Sequence, residues 1–454
     1  MTTMLGGGRI GTCQTGTWLA WLLAAYLMAP WQGLQAQDLR PAPPQEAATT
    51  TLGGELRRFL HDEATAVVHF RGYFFDRQNL VPPNNVALVA GGWMGFQSGW
   101  FYDTVQVGAV GYTTQPVWAP QGPQNTSNGT SLLKPGGYGF FTLGQAYASA
   151  RWKGQTFTGF RQYLDELEVN PRDDRELPQT FEAYALRGTV GQASYFAGWV
   201  AAIKPRDYSA FINMGEQAGA PNVNAGMALG SVKYGTPDKL QLRASSYVVP
   251  DILWSSYGDV GQTFPLSDSF LVRLAGQFAV QGSTGENLLT GVPFGTFWGG
   301  LRADAVWGPM TVSAAYTQVG SSSPWRAPYG IWIGYNKRQV LDFNRAGETA
   351  FTLLGAYDFK GMQRPGLIAF ASATYGGRAV NSATGQPLSE NWEYNFDLQF
   401  QAAALPVADW LKPLQLRPRV AFVNQYLGGA QVNSLTEYRV TLNYELTWKG
   451  PRLR

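Results

Sequence analysis

Asn391–Ala403, NWEYNFDLQFQAA, alternates strictly: Trp392, Tyr394, Phe396, Leu398 and Phe400 fall on one face, and Glu393, Asn395, Asp397, Gln399 and Gln401 on the other. A period of two with one oily and one polar side is a β-strand. The pattern recurs on both sides of it. KLQLRASSYV (239–248) sets Leu240, Leu242, Ala244 and Val248 against Gln241, Arg243, Ser245 and Tyr247. SFLVRLAGQFAVQ (269–281) opposes Phe270, Val272, Leu274, Phe278 and Val280 to Arg273 and Gln277, and TEYRVTLNYELTW (436–448) sets Tyr438, Val440, Leu442, Tyr444 and Leu446 against Arg439, Thr441, Asn443 and Glu445. Such runs are about double the usual strand of roughly 5–6 residues and match the ~9–11 tilted residues that cross a bilayer.

Aromatic residues gather near strand ends, at Trp100, Phe101 and Tyr102, at Trp392 and Tyr394, and at Trp448, as interfacial girdles do. In hydrocarbon every backbone N–H and C=O needs a partner, so strands that span must close into a barrel. Short turns near Ser98–Gly99, Lys153–Gly154, Gly188–Gln192, Gly235–Asp238, Pro265–Asp268, Gly308–Pro309, Gly361–Gly366 and Ala404–Lys412 alternate with longer links. Taking DILWSSYGDVGQTF (251–264) as its own strand keeps the alternation unbroken and yields an all-β fold, an 18-stranded antiparallel transmembrane β-barrel. A barrel of that size leaves an aqueous channel. A smaller barrel or a soluble β-sandwich is the competing fold, but sandwich strands rarely run so long.

Composition agrees. Only 14% of the 454 residues are charged, where soluble proteins carry roughly 25%, and 45% are hydrophobic although the mean hydropathy is −0.17. Dispersed apolar residues argue against membrane helices. Arg9, the apolar run 17–30 and LQA at 34–36 read as a signal peptide, which would remove the single cysteine, Cys13. The expected organisation is signal peptide 1–36, periplasmic segment and linker 37–64 (RPAPPQEAATT, then GELRRFLHDEA at loosely helical spacing), barrel 65–449 and tail 450–454. A net charge of +3 on the whole chain is too weak to imply nucleic acid.

Several stretches resemble the OprD family of outer-membrane porins: HFRGYFFDRQN (69–79) its opening strand, RDDRELPQTFEAYALRG (172–188) its third outer loop and the following strand, and AFTLLGAYDFKGMQRPGLIAFASATYGG (350–377) its Pro-Gly-Leu hairpin. ENWEYNFDLQF and PLQLRPRVAF follow in family order. The resemblance implies a monomeric barrel, with a trimer left open, in the bacterial outer membrane, whose third and seventh outer loops fold inward beside a ladder of basic side chains. The third loop is then Leu164–Pro178, with Asp165, Glu166, Glu168, Asp173 and Asp174, and the seventh roughly Gly320–Glu348, with Arg326, Tyr329, Lys337 and Arg338. One departure is the end of the chain: such barrels usually finish on a strand aromatic, and here KGPRLR follows Trp448.

Alternation also locates charge. Arg71, Arg151, Arg161, Arg243, Arg273, Arg302, Arg417, Arg419 and Arg439 are placed on the polar phase, as are Asp259, Asp304, Glu393, Asp397 and Glu445, because a lipid-facing Arg at mid-membrane costs roughly 2–4 kcal/mol. Arginine stays ionised and grips carboxylates bidentately, so these residues suit a path for carboxylate-bearing solutes such as amino acids and small organic or aromatic acids. Each could equally be locked in a wall salt bridge, Arg439 with Glu393 or Asp397 among them. The constriction is expected at Asp165, Glu166, Asp173, Asp174, Arg326 and Tyr329. The expected partners are membrane lipid and small solutes. Catalysis has little support: the only histidines are His61 and His69, and no Gly-x-Ser-x-Gly elbow occurs. No cofactor is expected, and no metal cluster has ligand spacing, although acidic third-loop oxygens leave Ca²⁺ open. Asn125 and Asn128, in acceptor-like triplets, and GGYG (136–139) are read as loop residues. A barrel that only anchors or adheres is the competing function.

Overall fold

A computed structural model describes residues 51–450 and the backbone of 452–453; the expected signal peptide, the linker through residue 50 and parts of the tail lie outside the described residues. Eighteen long strands follow one another: β1 (Thr65–Asn79), β2 (Asn84–Gln97), β3 (Val105–Trp118), β4 (Phe140–Trp152), β5 (Gln155–Gln162), β6 (Thr180–Val190), β7 (Ala193–Lys204), β8 (Met227–Gly235) and β9 (Leu240–Val249). The second half holds β10 (Leu253–Ser267), β11 (Phe270–Gly282), β12 (Gly295–Trp307), β13 (Met310–Val319), β14 (Thr349–Asp358), β15 (Leu367–Gly377), β16 (Glu390–Gln401), β17 (Leu414–Leu427) and β18 (Ala430–Lys449). Each pairs antiparallel with its sequence neighbours, and β18 returns to β1 in register from Thr65↔Lys449 to Asn79↔Leu435. The barrel is closed, and no long edge is left unpaired.

The alternation that decided the fold is physical. On β16, Tyr394, Phe396 and Leu398 point outward and are exposed, while Asn391, Glu393 and Gln399 are buried. On β9, Leu240, Leu242 and Val248 point out and Tyr247 and Ser245 in. The girdle differs in detail from the expected one. Trp100 is buried beneath Arg151, whose guanidinium carbon sits 4.3 Å from the ring centroid, whereas Tyr102 is exposed as expected and Trp152, Trp307 and Trp410 join it at the short-turn end.

Residues 52–62 form more than a linker. A short helix, α1 (Leu52–Arg57), continues into a wider turn over Arg58–Asp62 and caps the β2–β3 turn: Glu55 accepts from Tyr102 N (3.1 Å), and Gly99 N donates to Phe59 O (2.8 Å). After Lys449 the chain turns back, with Trp448↔Leu453 and Lys449↔Arg452 paired.

Candidate functional site

The opposite end carries the long links, and two of them enter the barrel. Loop 3 (163–179) buries Leu164 and Val169 against Phe181, Val200 and Tyr247 of the wall. Loop 7 (320–348) sinks Trp325 and Trp332 beside the wall residue Trp298, with ring centroids 5.9 and 5.4 Å from it. Apolar side chains on a loop that borders water gain by packing inward, and aromatic edge-to-face contacts add roughly 0.5–1.5 kcal/mol beyond their area.

The two loops are clasped by one side chain. Asn170 Nδ2 donates to Leu167 O (2.8 Å) and Ile331 O (3.1 Å), while its Oδ1 accepts from Ile331 N (2.9 Å) and Arg172 N (3.1 Å). Gln179 Nε2 reinforces this by donating to Asn170 O (2.6 Å) and Tyr329 O (2.8 Å). The approach is so close that a Cβ on Gly330 would lie 2.5 Å from Glu168 O, and only glycine fits there.

A third loop supports them from behind, which the sequence did not suggest. In loop 4 (205–226), a short helix, α2 (Met214–Ala218), receives the Tyr329 hydroxyl on Met214 O (3.0 Å), and Gln217 donates to Pro328 O (2.8 Å). Arg206 pairs with Asp174 of loop 3, which Arg175 also holds at 3.2 Å. Burial opposes a charge on Asp174, yet Arg206 and Arg175, with Arg172 and Arg439 nearby, hold its carboxyl well below the usual carboxylate range.

Between loops 3 and 7 and the wall lies a cavity of about 360 Å³. Its lining carries eight Lys or Arg side chains against four Asp, together with Tyr257, Trp332, Tyr335 and Phe370. The sequence profile described as outer membrane porin, OprD family, matches residues 58–448. The chain belongs to the OprD family.

Solved structures agree on the fold. Pseudomonas aeruginosa OpdK with vanillate is 21% identical, with a TM-score of 0.74 over 86% of this chain and 100% of that one. A BenF-like porin from Pseudomonas fluorescens Pf-5 is 18% identical (TM-score 0.76, 86% and 100%), and Acinetobacter baumannii OccAB1 17% (0.75, 86% and 98%). No curated protein sequence matches the chain. As an OprD-family member it is a porin of the bacterial outer membrane, a channel for small solutes set in lipid.

In this OprD-family porin the strand arginines are largely committed to acids. Arg71 pairs with Asp173 (2.6 Å), Arg151 with Asp103 (3.0 Å), Arg243 with Asp259 (2.9 Å), Arg302 with Asp304 (2.8 Å), Arg417 with Asp397, and Arg439 with Glu437 (2.5 Å). The partner of Arg439 is therefore Glu437, two residues away on the same face, and not Glu393 or Asp397. Glu393 instead anchors loop 7, accepting from Val340 N (2.9 Å) and Leu341 N (2.7 Å). Glu445 accepts from His69, whose ring stacks on Trp93 at 3.8 Å.

Arg161 is the clear misplacement. It shares its phase with Phe157 and faces outward, against Glu182 (3.7 Å) and the Phe211 ring (4.4 Å). It sits one residue before the loop end of β5, where a basic side chain reaches past the hydrocarbon and its cost falls to roughly 0–1 kcal/mol. Arg151 and Arg273 face inward but bind the short-turn end, Arg273 through Pro237 O and Gln241 (3.0 Å). Of the expected constriction residues, Asp165, Asp173 and Asp174 line the cavity. Glu166 lies behind it, bound to Ser231 (2.6 Å) and Lys233 (3.0 Å). Arg326 and Tyr329 are corrected too: Arg326 covers Phe294 and bonds Ser323 (2.9 Å), and Tyr329 is buried under α2. The loop 7 stretch that borders the cavity is Ile331–Gln339.

Glu168 of loop 3 is buried against the wall, where Ser255 Oγ donates to both its oxygens (2.9 and 3.0 Å). Burial pushes its carboxyl up to about 8, only partly offset by Ser255. An undocked loop would ionise near ~4.3, so docking is strongest while both states are protonated. It weakens as pH rises from there through about 8, then levels off. Conductance fluctuations in bilayer recordings should therefore grow between about pH 5 and 8 and level off above that, and Glu168→Gln should abolish that growth. A wild-type trace indifferent to pH would contradict this.

Proposed function

We propose that this porin passes small solutes bearing at least one carboxylate, such as amino acids and small organic or aromatic acids, between loops 3 and 7. The observation that carries the reading is the eight Lys and Arg side chains that line the cavity beside four Asp, five of them turned to acids set behind the lining. Cationic linings select anions in pores, and guanidinium forks bind carboxylates in two-point contacts. Trp332, Tyr335 and Tyr257 border the same cavity and supply aromatic surface beside the body of such a solute. OpdK, which shares the fold, was solved with vanillate, an aromatic carboxylate and a natural first probe.

Planar-bilayer recordings should show small steps with a mild preference for anions, and liposomes should swell faster in vanillate or amino acids than in sugars of like size. Equal rates for neutral and carboxylate solutes would overturn the selectivity. An absence of steps would favour an anchoring barrel.

A further inference from the structure

Five of the eight cations at the cavity already face an acid. Arg243, Arg302 and Arg439 are paired with wall carboxylates, Lys233 with Glu166 (3.0 Å), and Lys337 with Asp342 (2.5 Å). Two loop guanidiniums are different. Arg338 of loop 7 is held by three neutral oxygens: Nε donates to Thr374 Oγ1 (2.7 Å), Nη1 to Lys337 O (2.8 Å) and Nη2 to Tyr335 O (3.1 Å). Glu393, whose charge bears on it, turns its two oxygens to the Val340 and Leu341 amides and to Asn395. Arg172 of loop 3 has a buried Nε without a hydrogen-bond partner, and its guanidinium enters no ion pair among the described residues. Both line the cavity.

A guanidinium fixed by carbonyls and a hydroxyl keeps its full charge for a visitor, whereas one closed on a carboxylate must first break that pair. We propose that Arg338, with Arg172 on the facing loop, forms the seat that selects the solute carboxylate, and that the paired wall arginines chiefly fix the shape of the lumen. The inference rests on the carboxylate reading above and narrows it to two loop residues. Loop 7 holds the fork in place from its own backbone, so the seat exists only while loops 3 and 7 stay docked. Burial, with the Arg302 charge beside it and Glu393 offsetting in part, lowers the Arg338 guanidinium to about 10, which still leaves it ionised at neutral pH.

The test compares R338Q, R172Q and R338K with wild type in benzoate-driven liposome swelling and in reversal potentials under a potassium benzoate gradient. R161Q, on the outer face, serves as control. R338Q and R172Q should each lower benzoate flux relative to a neutral sugar by roughly tenfold, the scale of one lost charged hydrogen bond, and should remove the anion preference. R338K, keeping charge without the fork, should fall between them and wild type, which holds the test open if a glutamine variant assembles poorly. Unchanged benzoate selectivity in assembled R338Q and R172Q would overturn the seat while leaving the carboxylate channel standing. A wild-type barrel without carboxylate preference would overturn the underlying reading instead.

Discussion

Replacing Asn170 with alanine is expected to part the two constricting loops and to raise single-channel conductance several-fold while leaving the barrel assembled. The side chain meets loop 7 twice, at Ile331 N and Ile331 O, and its own loop twice, at Leu167 O and Arg172 N. Alanine removes all four bonds at once. Each net bond contributes about 1 kcal/mol, and a buried group left unpaired costs about 1–3 kcal/mol, so the docked state loses several kcal/mol, comparable with the whole margin by which a loop stays in place. The strands are untouched because their ladders involve neither loop, so heat-modifiable migration of the folded barrel should persist. Asn170→Asp should do no less: it keeps the acceptor for Ile331 N and Arg172 N but sets a buried carboxylate oxygen against the Leu167 and Ile331 carbonyls. Unchanged conductance in a folded Asn170→Ala barrel would show that the apolar anchors, Leu164, Val169 and Trp332, hold the loops unaided.

The contrast between what could be read in advance and what could not follows from which constraints are local. Alternation is local, so Trp392 to Gln401 disclosed their two faces, and link length disclosed the strand count. The same rule would have yielded Lys233, between the outward Val232 and Tyr234, and Glu437, beside the outward Tyr438. It misled at Arg161, where phase was judged from charge although Phe157 stood on the same side. Beyond the strands there is no period. Arg71 and Asp173 meet across 102 positions, and Arg338 owes its setting to two carbonyls of an irregular loop and the Thr374 hydroxyl of β15. Nothing along the chain announces either. The inward fold of loops 3 and 7 came from resemblance, but the clasp at Asn170 and the support from loop 4 depend on how the loops pack together.

Arg71 yields the second large effect, and its direction separates two roles. As a rung of a solute path, its loss would lower carboxylate flux at unchanged conductance. The geometry favours the other role. Arg71 is buried, donates from Nη1 to Asp173 (2.6 Å), Arg175 O (2.8 Å) and Glu176 O (3.2 Å), and is steadied by Nε on Asn443 (2.8 Å) and by the Trp93 ring at 4.9 Å. It is a strand residue that grips loop 3 by three points. Arg71→Met therefore strands the Asp173 carboxylate and two carbonyls, and breaking a buried pair from one side costs about 3–5 kcal/mol. The expected result is an undocked loop 3, a larger conductance and weaker discrimination between solutes. Asp173→Asn should be milder, because Arg71 keeps both carbonyls and an amide oxygen. If Arg71→Met instead lowered benzoate flux without enlarging the pore, Arg71 would belong to the path, and loop 3 would have to be held by its apolar face and the Asp174–Arg206 pair.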